Sequence, residues 1–311
     1  MPASHTFAQP KPPLRHIAGV FPYSQAAGRP LLAVFQEELA KLGHAPGRDI
    51  SIEVRWADNY ADRLAQHAVE LAALRPDVIV TATSAGVAAC RKATSTIPIV
   101  FATAYDPVGQ GFVSSLARPG GNVTGVIVYE DLNLKLVEIA REAFPAARRL
   151  ALLIHDVDPA HRYPLQTFEP AARQFKFEPF VAKVSAVDDL GRAFREIGEA
   201  KADATIIPLL GFFTTNRKQV AEHALKARMP IISGQSLIVE SGGLLSYGTS
   251  QEENYRRAAV LVDKILKGAR PADLPVDQPE RFEVVVNLKT AKSIGATLSK
   301  TTLARATKVI E

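Results

Sequence analysis

The chain has 311 residues, a length that predicts about two domains, each large enough to bury its own core. With 47% hydrophobic and 22% charged residues, 19 glycines and 21 prolines, its composition is that of a folded globular protein and excludes wholesale disorder, collagen and coiled coil. Against 32 acidic residues the 37 basic ones leave a net charge of +5, but no run exceeds two Lys or Arg, so the charge reads as scattered surface charge and not as a nucleic-acid-binding stripe.

The first fifteen residues carry Pro2, Pro10, Pro12 and Pro13 and lack both a basic start and an apolar stretch. They read as a flexible remnant over 1–15: either the tail of an export signal, which Phe7 to Pro10 resembles, or a native arm. From His16 the pattern is regular. A strand over 17–21 precedes a helix over 30–42, with Leu31, Leu32, Phe35, Leu39 and Leu42 on one face and Gly43 as its stop. A strand over 50–56, a helix over 62–74, a buried strand over 77–82, a helix over 85–93 and a strand over 97–101 follow. The lone cysteine, Cys90, lies in the apolar stretch 86–90 and reads as a buried small hydrophobe. Strands alternating with helices imply a parallel sheet covered on both faces, a doubly wound domain.

After the loop 118–122 an extended passage spans 123–129 and a helix 132–143, and the rhythm restarts. Strands over 150–155, 177–184, 204–209 and 230–233 alternate with helices over 164–175, 189–200 and 216–227. Then come a strand over 244–247, a long helix over 252–267, a proline-rich link over 271–279 and a β-branched strand over 282–287. The fold class read from this order is α/β, two doubly wound parallel-sheet lobes joined by three crossovers. The expected N-terminal lobe is 16–125 with 248–278, and the C-terminal lobe is 126–247 with 279–311. Tyr129 and Glu130, Gly248 and Thr249, and Asp277 to Glu280 are the hinge candidates. The longest apolar runs, such as 206–210, fall far short of the roughly 20 residues that cross a bilayer.

Open parallel sheets bind ligands outside the carboxyl ends of their strands. Those positions hold Tyr23 and Ser24, Thr83 and Ser84, Thr103 to Asp106, His155 to Asp158, Gly211 to Phe213, and Gly234 to Ser236. Ser84, just before a helix, either helps to hold a carboxylate or caps the helix. Tyr23 either meets a ligand or packs, and Asp106, before Pro107, either accepts from a ligand or opens a turn. Phe212 and Phe213 are adjacent on an expected loop, where burying both in one core is awkward, so at least one faces the cleft or the other lobe. Phosphate-loop, nucleophile-elbow and His-Glu-x-x-His signatures are absent, Gly109-Gln110-Gly111 lacks the context of a dinucleotide site, and the seven histidines show no metal-ligand spacing. No enzymatic activity, cofactor or metal is expected.

Four stretches then carry a resemblance: 94–101 (TSTIPIVF), Asp106-Pro107-Val108, 116–125 (LARPGGNVTG) and 242–248 (GGLLSYG). Together they resemble the ABC transporter substrate-binding proteins whose better-known members bind tryptophan or other aromatic amino acids. The resemblance spans about His16 to Leu298 and implies the type I periplasmic binding-protein fold, with a ligand held between the lobes. It implies contacts from the loops holding Tyr23, Ser24, Thr83, Ser84, Tyr105 and Asp106, and from the strand ends near Asp156, Leu210 to Phe212 and Gln235; Thr103 joins them by its strand-end position. Where family members often place an Asp-Asn-like pair suited to an α-ammonium, this chain reads Leu210-Gly211-Phe212-Phe213, so an aromatic or otherwise apolar carboxylate, contacted by Phe212 and anchored at Ser84, fits the residues at least as well as an amino acid. The resemblance further implies an exported periplasmic monomer that delivers its solute to a membrane permease, with no nucleic-acid partner. A ligand-sensing module of a regulatory or sensory system is the alternative, since the same two-lobed core serves both.

Overall fold

The computed structural model describes residues 14–128, 132–157 and 161–311. The first lobe is built from β1 (Arg15–Phe21), α1 (Gln25–Lys41), β2 (Ile50–Trp56), α2 (Ala61–Ala73), β3 (Val78–Thr81), α3 (Thr83–Ala93), β4 (Ile99–Ala104) and β5 (Val123–Ile127). Its five strands are all parallel, in the order β2-β1-β3-β4-β5. Alternation along β1 divides the core: Ile17 and Phe21 pack with α1, while Ala18 and Val20 pack with α2 and α3. α1 starts earlier than its apolar spacing suggests because Ser24 caps it, its Oγ accepting from Ala27 N at 3.3 Å. Cys90 is fully buried in this core, and burial pushes its thiol up to about 12, so it stays an inert thiol at neutral pH.

The second lobe continues with α4 (Leu132–Ala143), β6 (Arg149–His155), α5 (Arg162–Gln174), β7 (Glu178–Val184), α6 (Leu190–Glu199), β8 (Ala204–Ile207), α7 (Gly211–Thr215), α8 (Arg217–Lys226), β9 (Ile231–Ser233), α9 (Ser236–Glu240) and β10 (Leu245–Thr249). α10 (Gln251–Leu266) returns to the first lobe and packs on α1. β11 (Phe282–Asn287), α11 (Leu288–Ile294), α12 (Lys300–Arg305) and β12 (Lys308–Ile310) complete the second lobe. Its seven strands run β12-β11-β10-β9-β8-β6-β7. They are parallel except for β10 against β11, because the chain re-enters this sheet from the other lobe and lays β11 beside β10 in the reverse sense. Among the described residues no helix is long and apolar enough to cross a membrane.

The chain passes between lobes three times: between Val128 and Leu132, between Thr249 and Gln251, and after Asp277. β5 keeps to the first sheet through Ile127, beyond the division expected at 125/126, and β10 keeps to the second through Thr249. Of the hinge candidates, Tyr129 and Glu130 lie outside the described residues. Asp277 is tied to β5, its N–H donating to Gly125 O at 2.8 Å while its carbonyl accepts from Ile127 N at 3.0 Å, and it pairs with Arg257 at 2.8 Å.

Candidate functional site

The carboxyl ends of both sheets face each other across two adjacent chambers. The inner chamber contracts to about 20 Å³, room for about one water-sized group. Tyr23, Thr83, Ser84, Thr103 and Tyr105 line it from the first lobe, Leu209, Leu210, Gly211 and Thr214 from the second, and Gln251 from the start of α10. The outer chamber holds about 210 Å³ and is bounded by α2 and α3 on one side and by His155, Val157, Gly211 and Phe212 on the other. Thr83 and Gly211 border both.

The first-lobe wall is set by the start of α3. Thr83 carries φ 63°, a left-handed conformation that a β-branched residue rarely adopts. Its N–H donates to Thr103 Oγ1 at 3.3 Å, and its Oγ1 accepts from Gly86 N at 3.4 Å, so Thr83 and not Ser84 gives the helix its side-chain cap. The donors α3 presents to a bound anion are therefore the N–H groups of Ser84 and Ala85 between them. The Ser84 hydroxyl is engaged elsewhere: it accepts from Tyr105 N at 3.3 Å and Gln110 Nε2 at 3.0 Å and donates to Tyr105 O at 3.4 Å. This corrects the part expected of the hydroxyl in anchoring a carboxylate, since a hydroxyl offers one donor and two acceptor positions and all three are taken.

Two phenols complete the inner chamber. The Tyr23 hydroxyl lies 2.9 Å from that of Tyr255. Burial pushes its pKa well above the usual phenol range, against the opposing pull of hydrogen bonds to Tyr255 and Thr103. The Tyr105 side chain is 4% exposed, and its buried hydroxyl faces the backbone of Leu209. Burial raises its pKa as well, against the opposing pull of the Leu209 backbone, so it stays protonated on the chamber wall.

Phe212 and Phe213 are not on a loop. α7 points them in different directions, so both are buried: Phe213 at 0% exposure in the second-lobe core, and Phe212 stacked on His155 with centroids 4.2 Å apart and planes 6° apart, lining the outer chamber. Gln235 borders neither chamber but holds residues that do. Its Oε1 accepts from Thr214 Oγ1 at 2.6 Å and from Gln251 Nε2 at 3.3 Å, a buried polar chain linking the second lobe to the start of α10. Ser24 caps α1 and reaches across the cleft, its N–H donating to Thr215 Oγ1 at 3.4 Å.

Besides Ser24 and Gln235, two more expected ligand contacts fall outside the chambers. Asp106 opens the turn, its Oδ1 accepting from Gly109 N at 2.8 Å, and Asp156 accepts from Ser185 Oγ at 2.9 Å. Of the ten expected residues, Tyr23, Thr83, Ser84, Thr103, Tyr105 and Phe212 border a chamber. Thr214, Gln251, Asn59, Tyr60 and Lys92 were not anticipated; Gln251 lies past the second crossover, where no strand-end rule looks.

The profile of the family described as ABC transporter substrate binding protein matches residues 30–310. The chain belongs to this family. Its members are solute receptors and not enzymes, which agrees with the want of catalytic signatures in the sequence. The Tyrosine-binding protein of Clostridioides difficile (strain R20291) is 25% identical over 260 residues, covering 84% of this chain and 75% of that protein. An ABC domain from Streptococcus solved in complex with L-Trp superposes with a TM-score of 0.88 at 23% identity, over 96% of this chain and 100% of that one. A ligand-free, open substrate-binding protein with adhesive properties from Clostridium difficile superposes at 0.68 and 22% identity, over 96% and 99%. The fold is that of the type I periplasmic binding proteins.

Thr83 carries the clearest strain in the site. Thr83→Asn keeps a capping oxygen and suits the left-handed backbone, so it is expected to stabilise the ligand-free protein by about 1 kcal/mol in chemical denaturation while weakening solute binding. Unchanged or lower stability would show that Thr83 is not strained.

Proposed function

We propose that this protein is the exported, monomeric solute receptor of an ABC importer and that it captures an aromatic or otherwise apolar carboxylate for delivery to a membrane permease. The observation that carries the ligand class is the lining of the cleft. Among the described residues neither chamber is bordered by a carboxylate, while groups able to donate line the inner one: the start of α3, the phenols of Tyr23 and Tyr105, and the amide of Gln251. Among the described residues lining the chambers an α-ammonium finds no carboxylate partner, whereas one carboxylate oxygen is about the size of the group the inner chamber admits. The body of the solute would occupy the outer chamber against Phe212 and His155, where aromatic stacking favours a flat ring. Relatives that bind tyrosine and tryptophan support an aromatic solute.

Closure needs no chemistry. A solute touching both lobes binds the closed form better than the open one and shifts the population by that difference. Calorimetry tests the ligand class: phenylpropanoate is expected to bind at least about tenfold more tightly than phenylalanine, a gap of about 1.4 kcal/mol. Tight binding of phenylalanine, tyrosine or tryptophan with none of phenylpropanoate would overturn it.

A further inference from the structure

The outer chamber extends further along α3 than a single ring requires. Ala85, Ala88, Ala89 and Lys92 recur at the spacing of one helical face and form its wall, opposite Ala61, Leu64 and Ala65 of α2. The short alanine side chains on both helices keep this slot open. Nine residues separate Thr83 from Lys92, about 13 Å along the axis, and a helical side chain leans back toward the N-terminus, which brings the Lys92 ammonium nearer the chamber. At the mouth Tyr60 from one lobe and Val157 from the other are 63% and 60% exposed, so the chamber reaches solvent while the lobes are in contact. Lys92 is exposed, and among the described residues it is the Lys or Arg that borders either chamber.

We propose that the solute is an elongated aromatic acid with a second anionic group at its far end, read by Lys92 at the mouth of the outer chamber. This rests on the carboxylate reading above, with the first anion at the N-terminus of α3. The second anion then lies near the C-terminus of the same helix, where the helix dipole disfavours it, and Lys92 supplies the charge that offsets this. An exposed ion pair is worth little and is screened by salt, so the expected preference for the dianion is about three- to fivefold at low salt and close to none at about 0.5 M.

The test is calorimetry of phenylpropanoate and its para-carboxylated counterpart against the wild type, Lys92→Ala and Lys92→Glu. The dicarboxylate is expected to bind the wild type more tightly at low salt, the preference to vanish in Lys92→Ala, and its sign to reverse in Lys92→Glu. Equal affinities in the wild type, or a preference that persists in Lys92→Ala, overturn the role of Lys92 and leave the carboxylate reading standing. Binding of aromatic amino acids with neither acid bound overturns both.

Discussion

Gly125→Ala is expected to destabilise the protein by about 3 kcal/mol or more, or to prevent it from accumulating in folded form. Gly125 lies on β5 beside Phe101 of β4, and a Cβ built on it would fall inside contact distance of the Phe101 carbonyl oxygen and ring. The backbone oxygen belongs to a paired central strand and cannot yield as a flexible side chain would. Gly121→Ala, four residues earlier in the same motif, has open space where its Cβ would go and is expected to change stability by less than about 0.5 kcal/mol. Chemical denaturation of the two variants side by side decides the matter; similar midpoints would show that the strand pair can separate enough to admit a methyl group.

The contrast assigns a task to the Arg-Pro-Gly-Gly-Asn-Val-Thr-Gly stretch that carries the family resemblance. Gly120 turns the chain at φ 76° and donates to Ala272 O at 3.2 Å. Asn122 Nδ2 donates to Ile97 O at 2.8 Å, and Thr124 Oγ1 to Leu274 O at 2.9 Å. Residues of the stretch thus clamp the segment after α10 onto the first sheet, just before the chain leaves for β11. Its residues lie outside both chambers, and these contacts give the stretch a part in holding the fold together. Gly248, at the end of the 242–248 stretch, repeats the theme: its Cβ would lie 2.5 Å from the Gly234 carbonyl oxygen.

Regular elements were legible where amphipathic period and length agreed, as in α2 with Leu64, Ala68 and Leu71 facing inward. The short helices were not. α7 and α9 span five residues each, less than two turns, too few for periodicity to register, and that is why Phe212 and Phe213 read as loop residues. The last three elements, α11, α12 and β12, span seven, six and three residues, again too short for a period to register. Strand-end logic picked out six residues that border the two chambers but not the chemistry of each side chain. Whether Ser84 is available, whether Asp106 serves a turn, and whether Gln235 reaches Gln251 are settled by partners distant in sequence or by competition among near neighbours, and one-dimensional pattern is silent on both.

Gly211→Leu is expected to weaken solute binding by at least about a hundredfold, or about 2.7 kcal/mol, while leaving the ligand-free protein as stable as the wild type within about 0.5 kcal/mol. Gly211 opens α7 where the second lobe meets the first. A Cβ there would lie 3.1 Å from Asn59 Oδ1 and 3.9 Å from both Pro22 Cγ and Tyr23 Cδ1. The Asn59 amide can swing aside for a methyl group, so Gly211→Ala is expected to cost only a few-fold in affinity. The longer leucine side chain must displace Pro22 and Tyr23, which are anchored in the first lobe, Tyr23 through its hydroxyl contact with Tyr255. Holding the lobes apart reduces the binding-competent fraction, and apparent affinity falls in proportion. Neither core is entered, and leucine suits a helical position better than glycine, so folding stability has no reason to drop. The two readouts therefore move independently, and small-angle scattering supplies a third, because the variant should keep a larger radius of gyration at saturating solute. A leucine variant that binds with wild-type affinity would mean that the solute-bound state does not bring Gly211 against Pro22 and Tyr23, and the contact across the cleft would then belong to the ligand-free protein alone.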